Sequence, residues 1–125
     1  MEKRFNSGLW VATLVASLWF SGVACPEASK GIENPFDGRT DLVTKGKTLF
    51  NIHCSHCHGP NAVQGERKRD LRRLSQRYQD KMPTVYYQTV TSGRAAKGMP
   101  SWKGILNDET LWTIFTFLET IQKGS

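Results

Sequence analysis

The heptapeptide HCSHCHG, residues 53–59, holds every histidine of the 125-residue chain and two of its three cysteines. Cys54 and Cys57 are followed directly by His58, which gives Cys-x-x-Cys-His, the attachment sequence of c-type haem. On one helical turn both sulfur atoms lie on the same side and can bond the vinyl groups of a porphyrin. The imidazole of His58 can then coordinate the iron. The spacing therefore predicts one covalently attached haem c with His58 as an axial ligand.

Two other chemistries use a Cys-x-x-Cys core. A structural zinc site needs four ligands, normally as two separated pairs, and the sequence has no second Cys/His pair. A thioredoxin-type dithiol needs Cys54 and Cys57 as free thiols at a helix start, and no series of buried strands surrounds this motif. A dithiol oxidoreductase remains the alternative without haem. His53 and His56 need no ligand role and are predicted to be partly exposed.

The N-terminus has the pattern of an export signal. Basic residues are followed by the apolar stretch LWVATLVASLWFSGVA, and no further charge occurs before Glu27. This predicts a signal peptide over residues 1–24 and export to the periplasm. If it were retained, the uncharged segment is long enough to span a bilayer. Cleavage after Ala24 would make Cys25 the first residue, where a lipid could be attached, so two routes to membrane association stay open.

The remaining chain divides into an arm and a domain. Residues 25–40, CPEASKGIENPFDGRT, mix proline, glycine and polar side chains without a period, which predicts a tether or an arm that follows the surface. Residues 41–125 suffice for one small domain, whose modest core a buried haem would fill. The net charge of +6 favours acidic partners. Because an exported protein does not meet nucleic acid, we expect redox proteins as partners.

Two segments have helical patterns. Thr40 or Asp41 can cap a helix over residues 42–53 that delivers Cys54 at its end. Gly46 costs that helix about 1 kcal/mol relative to alanine, so we predict that a second helix crosses it at close range. The second helix is NDETLWTIFTFLETIQK, which Asn107 can cap. Its apolar residues recur at helical spacing: Leu111, Ile114, Phe115, Leu118 and Ile121.

The stretches GKTLFNIHCSHCHG, KGMPSW and NDETLWTIFTFLETI resemble the three signature blocks of class I cytochromes c, over residues 41–122. The resemblance implies an all-α fold whose N- and C-terminal helices cross around one haem. It places Gly46 and Phe50 against Ile114 and Phe117 at the crossing. It also implies that a methionine in a loop before the last helix is the sixth iron ligand, and Met99 has that position.

The residues themselves allow two methionine ligands, because Met82 and Met99 each precede a proline and can project from extended backbone. Pro83 suits the first turn of a helix, which leaves Met82 as a filler of core or surface. Met99 lies in a flexible loop with Trp102, and this favours Met99. Filled axial positions leave no site for substrate, so we predict a single-electron carrier rather than an enzyme. The alternative is a haem peroxidase or sensor whose sixth ligand can be displaced.

One feature of many class I members is absent. They carry Gly-Pro about a dozen residues past the haem histidine, and the proline carbonyl accepts the imidazole N–H. Here that place reads Arg69-Asp70-Leu71. We predict that a backbone carbonyl near Arg69 orients His58 instead.

A narrower resemblance lies in RYQDKMPTVYYQTVTSGRAAKGMPSW and the preceding ERKRDLRRL, which look like cytochromes c that serve periplasmic PQQ-dependent alcohol dehydrogenases. It implies a reduced quinoprotein as electron donor and a terminal oxidase or another cytochrome as acceptor. Residues 66–81 are also strongly basic, either as a solvated helix face or as a docking surface. We expect Leu71 and Leu74 to face the core, and Arg72, Arg73 and Arg77 to face outward.

Overall fold

A computed structural model describes residues 31–124. The predicted signal peptide and Cys25 lie outside this range. The described chain is all-α, as predicted, and contains no β-strand. None of its helices is long and apolar enough to cross a membrane. The α-helices are α1 (Val43–His53), α2 (Ser55–His58), α3 (Leu74–Tyr78), α4 (Met82–Ser92) and α5 (Asp108–Thr120). Short 3₁₀ turns occur at Thr40–Leu42, Pro60–Ala62, Leu71–Arg73, Gln79–Lys81 and Ala95–Lys97.

The crossing of α1 and α5 organises the core. Gly46 is buried, and a Cβ atom built on it would overlap the carbonyl oxygen of Thr113 and lie 3.0 Å from Cβ of Phe117. The rings of Phe50 and Phe117 pack with centroids 5.7 Å apart, and Phe50 is fully buried. Ile114 is buried in the same core. The predicted close crossing at Gly46 is therefore confirmed, and the backbone of Thr113 is its nearest partner.

Replacing Gly46 with alanine should destabilise the folded protein. The added methyl group cannot be accommodated by a rotamer change, because it meets backbone rather than a flexible side chain. The helices must separate, and overpacking of this kind typically costs about 1–3 kcal/mol. Denaturant unfolding measures the change. Gly65→Ala is the control, since a Cβ atom at Gly65 meets no atom within 4 Å. Equal stability of Gly46→Ala and the parent would show that the helices do not touch here.

The two main helices begin differently. Asn107 caps α5 as predicted, its side chain accepting a hydrogen bond from the backbone N–H of Thr110 at 2.8 Å. The predicted cap of α1 by Thr40 or Asp41 is wrong. Asp41 instead accepts hydrogen bonds from the Arg39 guanidinium at 2.7 and 2.8 Å, and α1 starts at Val43 without a side-chain cap. A cation two residues earlier thus captures the carboxylate that could have capped the helix.

The arm lies on the domain, as far as it is described. Asn34 is buried, and its amide donates to Oγ1 of Thr116 at 3.2 Å and to the carboxylate of Glu119 at 2.7 Å. The backbone N–H of Ile32 donates to Oγ1 of Thr84 at 2.7 Å. These bonds hold Ile32 and Asn34 against α4 and α5. The division into an arm over residues 25–40 and a domain over residues 41–125 stays a prediction. Residues 25–30 lie outside the described range.

Candidate haem site

The two cysteines of the attachment motif sit on one helical turn. Cys54 joins α1 to α2, and its carbonyl accepts hydrogen bonds from the N–H groups of Cys57 at 3.3 Å and His58 at 3.0 Å. Cys54 is half-buried, whereas Cys57 is exposed. Burial raises the pKa of the Cys54 thiol to about 11, with a smaller contribution from Cys57. A reactive dithiol needs a lowered thiol pKa, so this environment disfavours the dithiol oxidoreductase.

One ring nitrogen of His58 already has a partner. Its Nδ1 atom lies 3.0 Å from the carbonyl oxygen of Arg69. When Nδ1 donates to that carbonyl, the lone pair of Nε2 is available for a metal ion. The backbone acceptor predicted near Arg69 is therefore present. The other two histidines behave as expected, since His53 is half-buried and His56 is exposed.

The loop after the motif is held by backbone conformations that the sequence did not reveal. Asn61 and Ala62 both have left-handed backbone, with φ of 55° and 62°. Asn51 on α1 exchanges two hydrogen bonds with Asn61, at 2.9 Å between the side chains and 2.8 Å to the backbone N–H. Asparagine tolerates this conformation better than most residues, whereas alanine does not. The Asn51 side chain thus stabilises an otherwise unfavourable turn that follows His58 in the sequence.

The loop that carries Met99 is closed by its own backbone. Arg94 and Met99 exchange hydrogen bonds, with N···O distances of 2.8 and 3.2 Å. Gly93 has φ of +71°, and a Cβ atom on it would lie 2.6 Å from the backbone nitrogen of Ser101. Only glycine permits this close approach, so Gly93 allows the loop to fold back on the end of α4.

Trp102 brings the Met99 loop beside the attachment motif. Its backbone N–H donates to the carbonyl of Val90 at 2.9 Å, which ties the loop to α4. Its ring packs edge-on against the ring of His53, with centroids 5.9 Å apart. His53 is the residue directly before Cys54. Met99 is half-buried in this loop, whereas Met82 is 9% exposed at the start of α4 and belongs to the hydrophobic core. The packing of Met82 agrees with the predicted role as a filler.

The basic segment differs from the prediction in part. Arg72 and Arg73 do not face outward as expected, because both are half-buried and pair with the carboxylate of Asp70, at 2.8 and 3.6 Å. Leu74 is buried and Leu71 half-buried, as predicted. The side chains that do reach solvent define what we call the basic surface: Arg67, Lys68, Arg69, Arg77 and Lys81.

The residues present fit a covalently bound haem. Two sulfur atoms share one turn, the following imidazole has its Nδ1 atom oriented, and a methionine loop packs beside the motif through Trp102. This site in an all-α fold defines an electron-transfer domain of the cytochrome c class, which carries covalently bound haem c. Residues 41–118 match the family model described as cytochrome c oxidase, cbb3-type, subunit III. The chain belongs to this family.

The curated relatives are longer proteins, and the chain matches only a part of each. The chain is 32% identical over 89 residues to the cbb3-type cytochrome c oxidase subunit CcoP of Azospirillum sp. (strain B510), covering 66% of this chain and 29% of that protein. It is 31% identical over 80 residues to the quinohemoprotein alcohol dehydrogenase ADH-IIG of Pseudomonas putida, covering 63% of this chain and 10% of that protein. The match thus spans less than a third of either relative. No solved structure matches the chain significantly.

Proposed function

We propose that this chain is an exported single-electron carrier in which Cys54 and Cys57 bind the haem through thioethers and His58 and Met99 are its axial ligands. The observation that carries this proposal is the contact between Nδ1 of His58 and the Arg69 carbonyl. It fixes the ring and its tautomer, as is usual for histidines that bind metal ions. A bound haem supplies one-electron chemistry by alternating between Fe(III) and Fe(II).

The chain's own residues then determine what the domain can do. The Met99 thioether favours the reduced iron and raises the reduction potential relative to a second histidine. With His58 and Met99 both bound to the iron, no coordination site would stay open for a substrate. The thioethers from Cys54 and Cys57 hold the cofactor through repeated oxidation and reduction. Each of these roles suits electron transfer between partners.

The names of the relatives and the positive net charge support redox proteins as partners. The Pseudomonas putida relative is named as a quinohemoprotein alcohol dehydrogenase, and the Azospirillum relative as an oxidase subunit. We propose a PQQ-dependent alcohol dehydrogenase as electron donor and a terminal oxidase or another cytochrome as acceptor, in the periplasm. Association with a membrane would require lipid at Cys25 or retention of the signal segment.

A matched pair of methionine variants tests the axial ligation. Leucine has nearly the volume of methionine but no sulfur, so each exchange should cost less than about 1.5 kcal/mol of stability. We expect Met99→Leu to lose completely the weak near-infrared absorption band of methionine bound to Fe(III), and to bind added cyanide readily. We expect Met82→Leu to keep the band. Absorption spectra of the oxidised holoprotein measure both effects.

Each other outcome of this pair has a definite meaning. Loss of the band in Met82→Leu alone would transfer the ligand role to Met82. Persistence of the band in both variants would remove methionine from the iron. A parent protein that binds cyanide as readily as Met99→Leu would have a displaceable sixth ligand, which fits a peroxidase or sensor rather than a carrier.

A further inference from the structure

A buried carboxylate follows directly after the carbonyl that contacts His58. Asp70 is only 4% exposed, although it lies within the most basic segment of the chain. The carbonyl of the preceding residue, Arg69, is the one 3.0 Å from Nδ1 of His58. In many class I cytochromes c the residue at the place of Asp70 is a proline whose own carbonyl is the acceptor, whereas here the acceptor lies one residue earlier. The position of the Arg69 carbonyl therefore depends on how the backbone of Asp70 is held.

The side chain of Asp70 fixes its own backbone. Its Oδ1 atom accepts hydrogen bonds from the backbone N–H of Arg72 at 3.0 Å and from Nε of Arg72 at 2.8 Å. Its Oδ2 atom accepts from the Arg72 guanidinium at 3.2 Å and lies 3.6 Å from Nε of Arg73. Asp70 thereby caps the turn Leu71–Arg73 and has φ of −74°. This angle is close to the φ of about −65° at which a proline ring is fixed.

The far side of the same turn is anchored to the end of the chain. The Gln122 amide donates to the carbonyl of Leu71 at 3.0 Å and accepts from the N–H of Ser75 at 3.0 Å. The N–H of Lys123 donates to the carbonyl of Arg72 at 2.8 Å. The turn is therefore held both by Asp70 from within and by the residues that follow α5.

We propose that Asp70 is a positioning residue that holds the Arg69 carbonyl on the Nδ1–H of His58 and so adjusts the reduction potential of the haem. This inference rests on the proposed function, since it requires His58 to be an iron ligand. A well-placed acceptor makes the imidazole a stronger electron donor, which favours Fe(III). A weaker hydrogen bond between His58 and the Arg69 carbonyl should therefore favour Fe(II) and raise the reduction potential of the haem.

The test compares five holoproteins by redox titration: the parent, Asp70→Ala, Asp70→Asn, Asp70→Pro and Asp80→Ala. Asp80 is an exposed carboxylate of the same segment, so Asp80→Ala reproduces the loss of charge without the cap. Relative to Asp80→Ala, we expect Asp70→Ala to shift the iron equilibrium toward Fe(II) on the order of tenfold. A tenfold shift corresponds to about 59 mV for one electron. Asp70→Asn keeps an oxygen for the cap, and Asp70→Pro restores φ, so both should stay near Asp80→Ala.

A second measurement reports the hydrogen bond itself. Proton NMR of the reduced protein follows the exchange of the His58 Nδ1–H with water, which should become faster in Asp70→Ala and remain slow in Asp70→Asn. If Asp70→Ala does not fold, Asp70→Glu takes its place, because it keeps the charge while its longer side chain loses the cap. For this variant, faster exchange and a potential higher than in the parent are expected.

The two proposals fail in different ways. A parent protein without covalent haem, or with another residue in place of His58 on the iron, refutes the proposed function before Asp70 is tested. If haem and His58 are in place but Asp70→Ala matches Asp80→Ala in both potential and exchange, only the role of Asp70 is overturned. If Asp70→Glu is tested instead of Asp70→Ala, a potential and an exchange rate equal to those of the parent also overturn the role of Asp70.

Discussion

Replacing both cysteines of the motif, Cys54→Ser with Cys57→Ser, should give a protein that carries no haem after denaturation. Thioether bonds survive unfolding, whereas a haem held only by axial ligands dissociates when the fold is lost. Cys54 and Cys57 lie on one turn. If each forms its own thioether, as proposed, a single replacement should keep one bond and shift the absorption maximum. The measurement is the absorption spectrum of the denatured chain, with the parent retaining its haem completely.

Cys25→Ser is the matched control, because it removes the third cysteine without touching the motif. It should retain haem as the parent does. A double-serine protein that folds, binds no haem and keeps its electron-transfer activity would refute the haem assignment of both cysteines. A parent without haem, in which Cys54 and Cys57 form a reversible disulfide, would establish the dithiol alternative despite the raised pKa of Cys54.

The haem cofactor and the helix crossing could be predicted because the sequence signals for them are local. Two thioethers and one axial ligand require a fixed spacing, so Cys54, Cys57 and His58 reveal the chemistry without any tertiary information. Gly46 is similarly informative, since a helix tolerates glycine at its centre at a cost that needs a packing reason. The structure supplies that reason in the backbone of Thr113.

Asp70 could not be predicted as a buried cap, because its burial is a tertiary property. A carboxylate among many arginines indicates a solvated surface, and that interpretation placed Arg72 and Arg73 outside. The fold instead places Asp70 between both arginines and close to the chain end, where Gln122 completes the turn. Gln122 lies about fifty positions from the turn that it completes, so no local pattern reveals this contact.

The class of the domain was predictable, whereas its particular family was not. The blocks around Gly46, His58 and Met99 are shared by class I cytochromes c, and they led to the correct class. The match to the cbb3-type subunit III family, and to parts of an oxidase subunit and an alcohol dehydrogenase, shows that such domains occur within proteins of different activities. This sequence matches only 29% of the oxidase subunit and 10% of the alcohol dehydrogenase, so the match does not distinguish between their activities.

The basic surface has a direct connection to the haem site. Its member Arg69 provides the backbone carbonyl 3.0 Å from Nδ1 of His58, so the chain that carries these charges passes beside the proposed axial ligand. Arg69 is partly neutralised by Glu66 at 3.2 Å, and the Arg77 guanidinium bonds the carbonyl of Arg67. Lys68 and Lys81 are exposed and have no ion pair among the described residues. These two lysines can therefore be reversed without disturbing the contacts that hold the turn.

Reversing Lys68 and Lys81 to glutamate should slow reduction of the haem by ferrocyanide at least about tenfold at low ionic strength. The variant should react faster with the cationic reductant hexaammineruthenium(II), and added salt should reduce both effects because it screens exposed charges. Stopped-flow absorption at the haem band measures the rates.

The control, Lys45→Glu with Lys47→Glu, makes the same change in net charge on α1, where the exposed pair of Lys45 with Glu109 contributes little to stability. If both double variants slow ferrocyanide equally, only net charge matters. The basic surface then has no special position near the haem, and an acidic partner must dock elsewhere.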